Sequence, residues 1–380
     1  MGRLGNTQGQ EAGAAPPRLS VAERMARKTA DTNPLLSSSV DLLSSVTEDT
    51  GSFTIDSTGE LVLDQLAPLP LVPEVSVNLG DLQADEAAAS HTLFVPEHVA
   101  PGEIEALAVS VWNEAGWLSP GSLRLLEGCT LEGPWSVSAG VLAQLGVPAS
   151  LGRAQAYVLH APARRGSAPT PQIMAISHWA RAFPVGMPVG IEDRILQVLY
   201  RMSRRLAGSL RIAGSGYVMT PDPASSVNLQ VYASTWMEPA EAMQLLAPHI
   251  PELHEAGPSP SPGGPYALLA PSGSRSQVLI GVRPEQHVPR ALRWEMWAKG
   301  GVFLYEIVWA LPEDLYGLNE RPTRTGRLER SKGAAIVETA AALLADALDT
   351  PMRGGAAIID EDEFLVVLDA PPPAEASPHP

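Results

Sequence analysis

One order of short motifs occurs twice along this chain, and a repeated order of elements predicts two comparable folded halves. The pattern Tyr-x-Leu-x-Ala-Pro lies at residues 157–162 and again at 266–271. Trp-Ala with a nearby Pro follows each copy, at Trp179 and at Trp309. A helical segment and two apolar runs around an acidic turn complete each half. The sequence therefore predicts an internal duplication of an α+β unit.

Four segments have the residue spacing of helices that bury an apolar face. One begins at Pro101 and its counterpart at Pro239, in each case ahead of the Tyr-containing strand. In the other pair, residues 191–206 place apolar side chains three and four positions apart, whereas 331–348 is apolar on nearly every side. Each half is thus expected to pack two helices against its strands.

Apolar runs with turn residues between them predict the strands of each half. They lie at 157–162, 173–177, 210–219 and 228–232 in the first half, and at 266–271, 277–282, 293–297, 302–309, 356–359 and 364–368 in the second. Lys299-Gly300-Gly301 is expected to join two of these runs as a hairpin turn. Each half then reads helix, strand, strand, helix, strand, strand, which predicts a helix-backed antiparallel or mixed sheet.

The predicted domain limits follow from these patterns. Residues 1–90 carry five Lys and Arg against thirteen Asp and Glu, and Phe53 is their one aromatic residue. A segment with so little to bury is expected to form a disordered acidic arm. The first α+β unit is placed at 91–236, the second at 237–370, and a loose tail at 371–380.

Charge and composition argue against several classes of function. The formal net charge of −16 opposes general nucleic-acid binding, whose affinity depends on neutralised phosphates. The single cysteine, Cys129, excludes an intramolecular disulfide. No signal-peptide pattern and no run of ~20 apolar residues occurs, so a cytoplasmic location without membrane insertion is expected. Lysines are so scarce among the basic residues that we expect a GC-rich bacterial source.

Basic residues recur at every third position in one short segment. They are Arg321, Arg324, Arg327, Arg330 and Lys332. A loop of this kind ahead of a helix can bind a phosphate or an acidic peptide through guanidinium groups and the helix N-terminus. Pro322 and Gly326 oppose a continuous helix here. The alternative is a solvated loop, held by the acidic tail of the same protein.

Aromatic side chains concentrate in the predicted hairpin of the second half. They are Trp294, Trp297, Phe303 and Tyr305. Alternation along 302–309 makes both faces of that strand largely apolar. This favours either packing in the core or an interface with a partner protein or a second copy of the chain, because aromatic residues anchor interfaces.

The densest group of carboxylates is the Asp-Glu-Asp-Glu run at 360–363. Such a cluster can bind a divalent cation. Adjacent side chains on a tight turn point in different directions, however, so we expect a solvated hairpin turn.

These observations favour a binding protein over an enzyme. No nucleophile with a nearby base, no metal-ligand spacing and no nucleotide-binding glycine pattern stands out, so no catalytic residue, metal or cofactor is expected. The leading interpretation is a protein-binding or regulatory module that uses the cleft or a sheet face of the two units, with a protein partner or a homodimer as its complex. Two alternatives remain: a sensor or enzyme for anionic or phosphorylated ligands that uses 321–332, and a structural component of a larger assembly.

Overall fold

The computed structural model describes residues 78–257, 263–310 and 323–369, together with two short strands in the N-terminal part. These strands, β1 (Thr54–Ile55) and β2 (Leu61–Val62), pair antiparallel within the unit Met1–Pro70. Every element below belongs to the second unit, Leu71–Pro380. Most of the predicted acidic arm and the predicted tail lie outside the described residues. Residues 78–90 of that arm are part of the fold, because Leu82 and Ala87 are buried.

The first lobe contains an antiparallel sheet of seven strands. The order across the sheet is β4-β5-β6-β7-β3-β8-β9. The strands are β3 (His91–Pro96), β4 (Gly116–Ser119), β5 (Ser122–Leu126), β6 (Cys129–Val137), β7 (Ala154–His160), β8 (Ser209–Arg211) and β9 (Val218–Met219).

Helices cover both faces of the first sheet. The helices are α1 (Ala84–Ala89), α2 (Pro101–Val111), α3 (Ala139–Gln144), α4 (Pro171–Ile176), α5 (His178–Ala182) and α6 (Ile191–Arg205), with a 3-10 turn at Ala149–Leu151. The main core lies between the sheet and α2 and α6, where Ile104, Ile195 and Leu199 pack on Leu93. A smaller core lies on the opposite face under α1 and α3. The helices predicted from Pro101 and over 191–206 are confirmed.

Helix α6 follows from its own sequence. Its buried side chains recur at intervals of three and four, from Ile195 to Met202, which places them on one face. Glu192 and Asp193 stand in the first turn and Arg204 and Arg205 in the last. Both ends therefore carry charges that complement the helix dipole.

The second lobe contains another antiparallel sheet of seven strands. The order across it is β11-β12-β13-β14-β10-β15-β16. The strands are β10 (Leu229–Ala233), β11 (His254–Glu255), β12 (Tyr266–Pro271), β13 (Gln277–Glu285), β14 (Val302–Ala310), β15 (Ala356–Asp360) and β16 (Leu365–Val366). Helices α7 (Pro239–Leu246) and α8 (Arg324–Leu348) pack on one face, and 3-10 turns at Arg290–Leu292 and Met296–Gly300 cover part of the other. A further 3-10 turn, Pro223–Ser225, lies between β9 and β10 along the chain.

The two sheets have the same strand order. In each, the first strand of the lobe lies between its fifth and sixth strands, and the second strand lies at one edge. One helix follows the first strand and another precedes the sixth. Each lobe thus contains a β-α-β-β-β-β-α-β-β frame, which is richer in strands than the predicted unit. The predicted α+β class is confirmed, and both sheets are antiparallel, which is one of the two arrangements, antiparallel or mixed, that the sequence allowed.

The motifs that indicated the repeat do not lie at equivalent positions in the two sheets. Tyr157 is on the fifth strand of its sheet and Tyr266 is on the third strand of the other. The structural counterpart of Tyr157 is Tyr305, because Tyr157 pairs with Leu93 and Tyr305 with Val231, each in the middle of the first strand of its lobe. Tyr157 and Tyr305 are both fully buried. An alternating pattern with one aromatic residue suits any half-buried strand, so it does not identify which strand.

Three predicted strands differ in the structure. Residues 173–177 lie largely in α4, which Thr170 caps through the amide of Ile173 and Pro171 begins. Residues 293–295 form the connection between two 3-10 turns and 296–297 begin the second of them, so β14 has no hairpin partner there and pairs with β13 and β10. The run at 228–232 does not close the first unit, because β10 is a central strand of the second sheet.

The acidic turn at 360–363 joins the second lobe to the first. Asp362 is buried and accepts two hydrogen bonds from the guanidinium group of Arg204 on α6, one of them over 2.9 Å from Nε. Phe364 is fully buried and packs in the core of the first lobe. The run forms the predicted hairpin turn between β15 and β16, but the prediction that it is solvated is wrong for Asp360 and Asp362, which are buried. The charged partner of Asp362 lies 158 residues away in the chain.

A second connection runs from the second lobe to the end of α2. Arg293 Nη2 donates to the carbonyl oxygen of Val109 over 2.8 Å, and Arg290 Nη1 donates to that of Val111 over 3.4 Å. The last carbonyl groups of a helix have no partner inside the helix, and cations stabilise that end. The two arginines therefore cap α2 from the other lobe.

We expect Asp362→Asn to lower the free energy of unfolding by about 3 kcal/mol, because it removes the buried carboxylate that binds Nε and Nη2 of Arg204 and leaves this arginine with Glu361, 3.5 Å from Nη1. Glu363→Gln on the same turn is the matched control. Its side chain is 70% exposed and lies 3.9 Å from Arg201, so the expected cost is below about 0.5 kcal/mol. Urea unfolding of both variants measures the difference. Equal stability of the two would contradict a buried connection between the lobes.

We expect Gly333→Ala to destabilise the second lobe by about 1–3 kcal/mol, because the added Cβ would overlap the indole ring of Trp309. Gly140→Ala in α3 is the control, since its Cβ would meet nothing closer than 3.8 Å. That control should be neutral or stabilise by about 0.5–1 kcal/mol through helix propensity. Thermal unfolding separates the two outcomes, and a Gly333→Ala protein as stable as the wild type would show that α8 can shift away from β14.

Candidate binding surface

A chain segment that contains helices α4 and α5 connects β7 to α6 in the first lobe. We call residues 161–190 the flap. Its base is a short antiparallel ribbon, in which Gly166 N donates to Met187 O over 2.7 Å and Val189 N donates to Arg164 O over 3.0 Å. A Cβ at Gly186 would lie 2.8 Å from Gly166 O, so the ribbon requires glycine at that crossing. The flap is therefore a hydrogen-bonded structure of its own.

The two helices of the flap differ in what they bury. Helix α5 packs inward through Trp179, whose ring lies 5.3 Å from that of Phe183 and 6.0 Å from that of Tyr200 on α6, measured between centroids. Helix α4 has the sequence Pro-Gln-Ile-Met-Ala-Ile and no buried residue. Apolar helices normally bury a face against another element, whereas α4 buries none of its residues against the rest of the described chain.

Exposed apolar side chains concentrate on the flap. The side chain of Ile176 on α4 is 81% exposed and that of Val185 is 91% exposed. Ile173 and Val189 are also exposed, as is Ile191 directly after the flap. Single exposed apolar residues need no explanation, whereas several on one projection are typical of an interaction surface.

A buried carboxylate, Glu192, holds the base of the flap. Its Oε2 accepts from the amide of Arg164 over 2.6 Å, and its Oε1 lies 2.8 Å from the guanidinium of Arg165. Oε1 also lies 3.2 Å from Nε2 of His91 on β3. Glu192 stands in the first turn of α6, where the helix dipole favours a negative charge. One side chain thus connects the flap, the helix and the sheet.

The tautomer of His91 follows from its neighbours. The amide of Ala213 donates to His91 Nδ1 over 3.2 Å, so Nδ1 carries no proton and Nε2 donates to Glu192. Burial lowers the pKa of His91, the hydrogen bond to Glu192 raises it in part, and Arg165 and Arg211 lower it. With both ring nitrogens engaged, the neutral imidazole positions the flap and is not free to accept a substrate proton.

Positive charge accompanies the apolar side chains. Residues 161–191 contain Arg164, Arg165 and Arg181 and no Asp or Glu, in a chain whose net charge is −16. Arg165 is neutralised by Glu192, and its guanidinium lies 4.8 Å from the centroid of the Phe183 ring. Arg164 and Arg181 are exposed. The surface is therefore apolar with a basic rim.

The predicted basic segment is largely helical. Arg324, Arg327, Arg330 and Lys332 all belong to α8, which begins after Thr323, while Arg321 lies outside the described residues. Arg330 is buried and its Nη2 lies 2.5 Å from Asp222. The other three basic side chains of the helix are exposed. The structure thus separates Arg330, which packs inside, from the residues with which it was grouped.

The predicted aromatic interface is divided between core and surface. Tyr305 is fully buried and donates to the carbonyl oxygen of Thr235 over 3.0 Å. Phe303 is partly buried, with its ring centroid 5.4 Å from that of Trp236. Trp297 donates from Nε1 to Glu295 over 3.0 Å, whereas Trp294 is 74% exposed. Among the four, Trp294 is the most accessible to a partner.

Sequence reasoning missed the flap because its apolar run was assigned to a buried strand. Ile173, Met174 and Ile176 fit a short apolar strand as well as a short helix, and periodicity does not separate the two. Thr170 followed by Pro171 was the available signal for a helix start. The absence of acidic residues over 161–191 was the available signal for a distinct surface.

Comparisons with protein-family models, curated proteins and solved structures found no match to this chain. In the part that the structure describes, no set of three or more His, Cys, Asp and Glu side chains is arranged to hold a metal ion. None of the described helices is both long enough and apolar enough to cross a membrane.

We expect the buried His91 to make stability fall as the pH drops through about 6.5, the ordinary value for histidine. Its pKa is lowered in the folded state, so the unfolded chain takes up the proton first and gains stability. The loss from one such group is at most about 1.4 kcal/mol per pH unit. His91→Gln should reduce the dependence between pH 7 and 5, measured by urea unfolding. His98→Gln, at an exposed histidine, is the control, and identical pH profiles for His91→Gln and the wild type would contradict the assignment.

Proposed function

We propose that this protein is a non-catalytic binding module that holds a partner protein on the flap. The observation that carries the proposal is α4, an apolar helix with no buried residue, on a hydrogen-bonded base. Exposed apolar surface is costly in water unless a partner covers it. Because Glu192, Arg165 and the ribbon hold the flap in one arrangement, little conformational entropy is lost when it binds.

The arrangement of His91 and Glu192 supports binding over catalysis. A histidine beside a carboxylate resembles a general base with its orienting group. Here Nδ1 of His91 accepts a hydrogen bond from the amide of Ala213, and the buried ring lies near the positive charges of Arg165 and Arg211. The pair therefore supports a structural role.

The alternative of an anion sensor on α8 has less support than the flap. Arg330 forms an ion pair with Asp222. The basic residues of α8 that remain exposed for a ligand are Arg324, Arg327 and Lys332. Within 263–310 and 323–369, nothing beside these exposed cations indicates a bound ligand. We also infer that the lobes arose by duplication, since their strand orders are identical. The cytoplasm remains our proposed location from the sequence.

The test is a double substitution on the flap, Ile176→Ser with Val185→Ser. Exposed apolar residues contribute little to folding, so each change should alter the free energy of unfolding by less than about 0.5 kcal/mol. We expect crosslinking capture from the native cells to lose specific proteins that the wild type retains. Met352→Ser is the matched control, because Met352 is 98% exposed in the second lobe.

The outcome against the proposal is a capture profile that the double variant shares with the wild type and with Met352→Ser. Sedimentation velocity separates self-association from binding to another protein. If the partner is a second copy of the chain, the wild type and Met352→Ser should sediment as dimers and the double variant as a monomer.

A further inference from the structure

The flap combines its apolar side chains with a local positive charge, in a chain whose net charge is −16. Among the described residues, no ion pair joins Arg164 or Arg181 to a carboxylate. Glu192 approaches Arg164 through the backbone amide, so that guanidinium keeps its full charge. Arg164 and Arg181 thus add exposed positive charge to the same flap that carries the exposed apolar helix α4.

Glu192 explains why the positive charge at the base is not larger. Its carboxylate is almost fully buried and lies 2.8 Å from Arg165, whose side chain is 33% exposed, so it neutralises that arginine. Asp193, the next residue, is partly buried and accepts from Gln197 over 2.9 Å. The two acidic residues that follow the flap in sequence are thus engaged, Glu192 with Arg165 and Asp193 with Gln197. The accessible charge of the flap remains that of Arg164 and Arg181.

On the basis of the function proposed above, we propose that the partner contributes an acidic amphipathic segment. Its apolar side chains would pack on Ile173, Ile176 and Val185, and its carboxylates would lie beside Arg164 and Arg181. Carboxylates and guanidinium groups form charge-assisted hydrogen bonds, often with two contacts. Two cations beside an apolar helix suit a short segment that alternates the two kinds of side chain.

A nucleic acid or an anionic membrane fits this surface less well. Binding to either depends on the summed attraction of many cations, and the net charge of −16 repels a long polyanion. A short peptide meets the local surface within a Debye length, about 8 Å at physiological ionic strength. The long-range repulsion is therefore largely screened for a peptide, while the local attraction remains.

The experiment uses the full chain and labelled helical peptides of about 12 residues. One peptide places Leu on one face and Glu on the flanks, a second replaces Glu by Gln, and a third replaces Glu by Lys. We expect fluorescence polarisation to show the Glu peptide binding more tightly than the Gln peptide by about two- to fivefold for each exposed ion pair. The preference should shrink at high salt, and the Lys peptide should bind most weakly.

Two arginine substitutions connect the preference to the flap. Arg164→Gln and Arg181→Gln should lower the affinity for the Glu peptide towards that for the Gln peptide and leave the Gln peptide unaffected. Arg153→Gln is the matched control in the same lobe, because its side chain is 88% exposed and lies 3.8 Å from Glu97, outside the flap. Equal affinity of the Glu and Gln peptides would overturn the acidic class and leave the proposed function intact.

Other results overturn the inference in different ways. If neither peptide binds, or if Arg153→Gln weakens the Glu peptide as much as Arg181→Gln does, the flap does not recognise acidic segments. If phosphatidylserine vesicles bind the wild type and Arg181→Gln abolishes that binding, the ligand is a membrane surface. The proposed function fails separately, when Ile176→Ser with Val185→Ser leaves the capture profile unchanged.

Discussion

Ion pairs with buried carboxylates, at the two ends of α6, connect parts of this protein that lie far apart in its sequence. At the N-terminal end, Glu192 connects the flap and strand β3 through Arg165 and His91. At the C-terminal end, Arg204 binds Asp362 from the second lobe. The helix dipole favours both charges where they stand. Because buried ion pairs cost nearly as much in desolvation as they return, their main effect here is to select one arrangement.

The helices were predictable because their signal is local and periodic. The intervals of three and four in 191–206, and the Pro at the start of α2 and α7, are sufficient to place those elements. The strand order was not predictable, because it depends on which strands pair, and the same alternation fits every half-buried strand. The tyrosines show the difference: Tyr157 resembles Tyr266 in sequence, but Tyr305 takes its place in the sheet.

The candidate binding surface was not predicted, because what defines it is exposure and not a sequence pattern. Ile176 and Val185 are ordinary apolar residues in the sequence, and they are distinguished by their exposure in the structure. Exposure depends on the fold, so the sequence alone does not reveal it. The acidic turn shows the reverse error, since Asp362 was expected in solvent and is buried by Arg204. Arg330 was likewise grouped with solvent-exposed cations and is paired with Asp222. In each case the deciding partner lies more than 100 residues away in the chain.

The common frame of the two lobes indicates which surface residues can change with little effect on the free energy of unfolding. In both sheets the core is made by the same strand order and by the helices after the first strand and before the sixth. The flap lies between the fifth strand and the second of these helices, and its outward helix α4 contributes no buried residue to either core. Changes on that helix therefore alter the exposed surface without removing buried area from the frame. Its base is constrained differently, because Glu192 and Arg165 connect it to His91 on the central strand. The flap thus combines an outward helix that buries nothing in either core with a base that is held to the sheet.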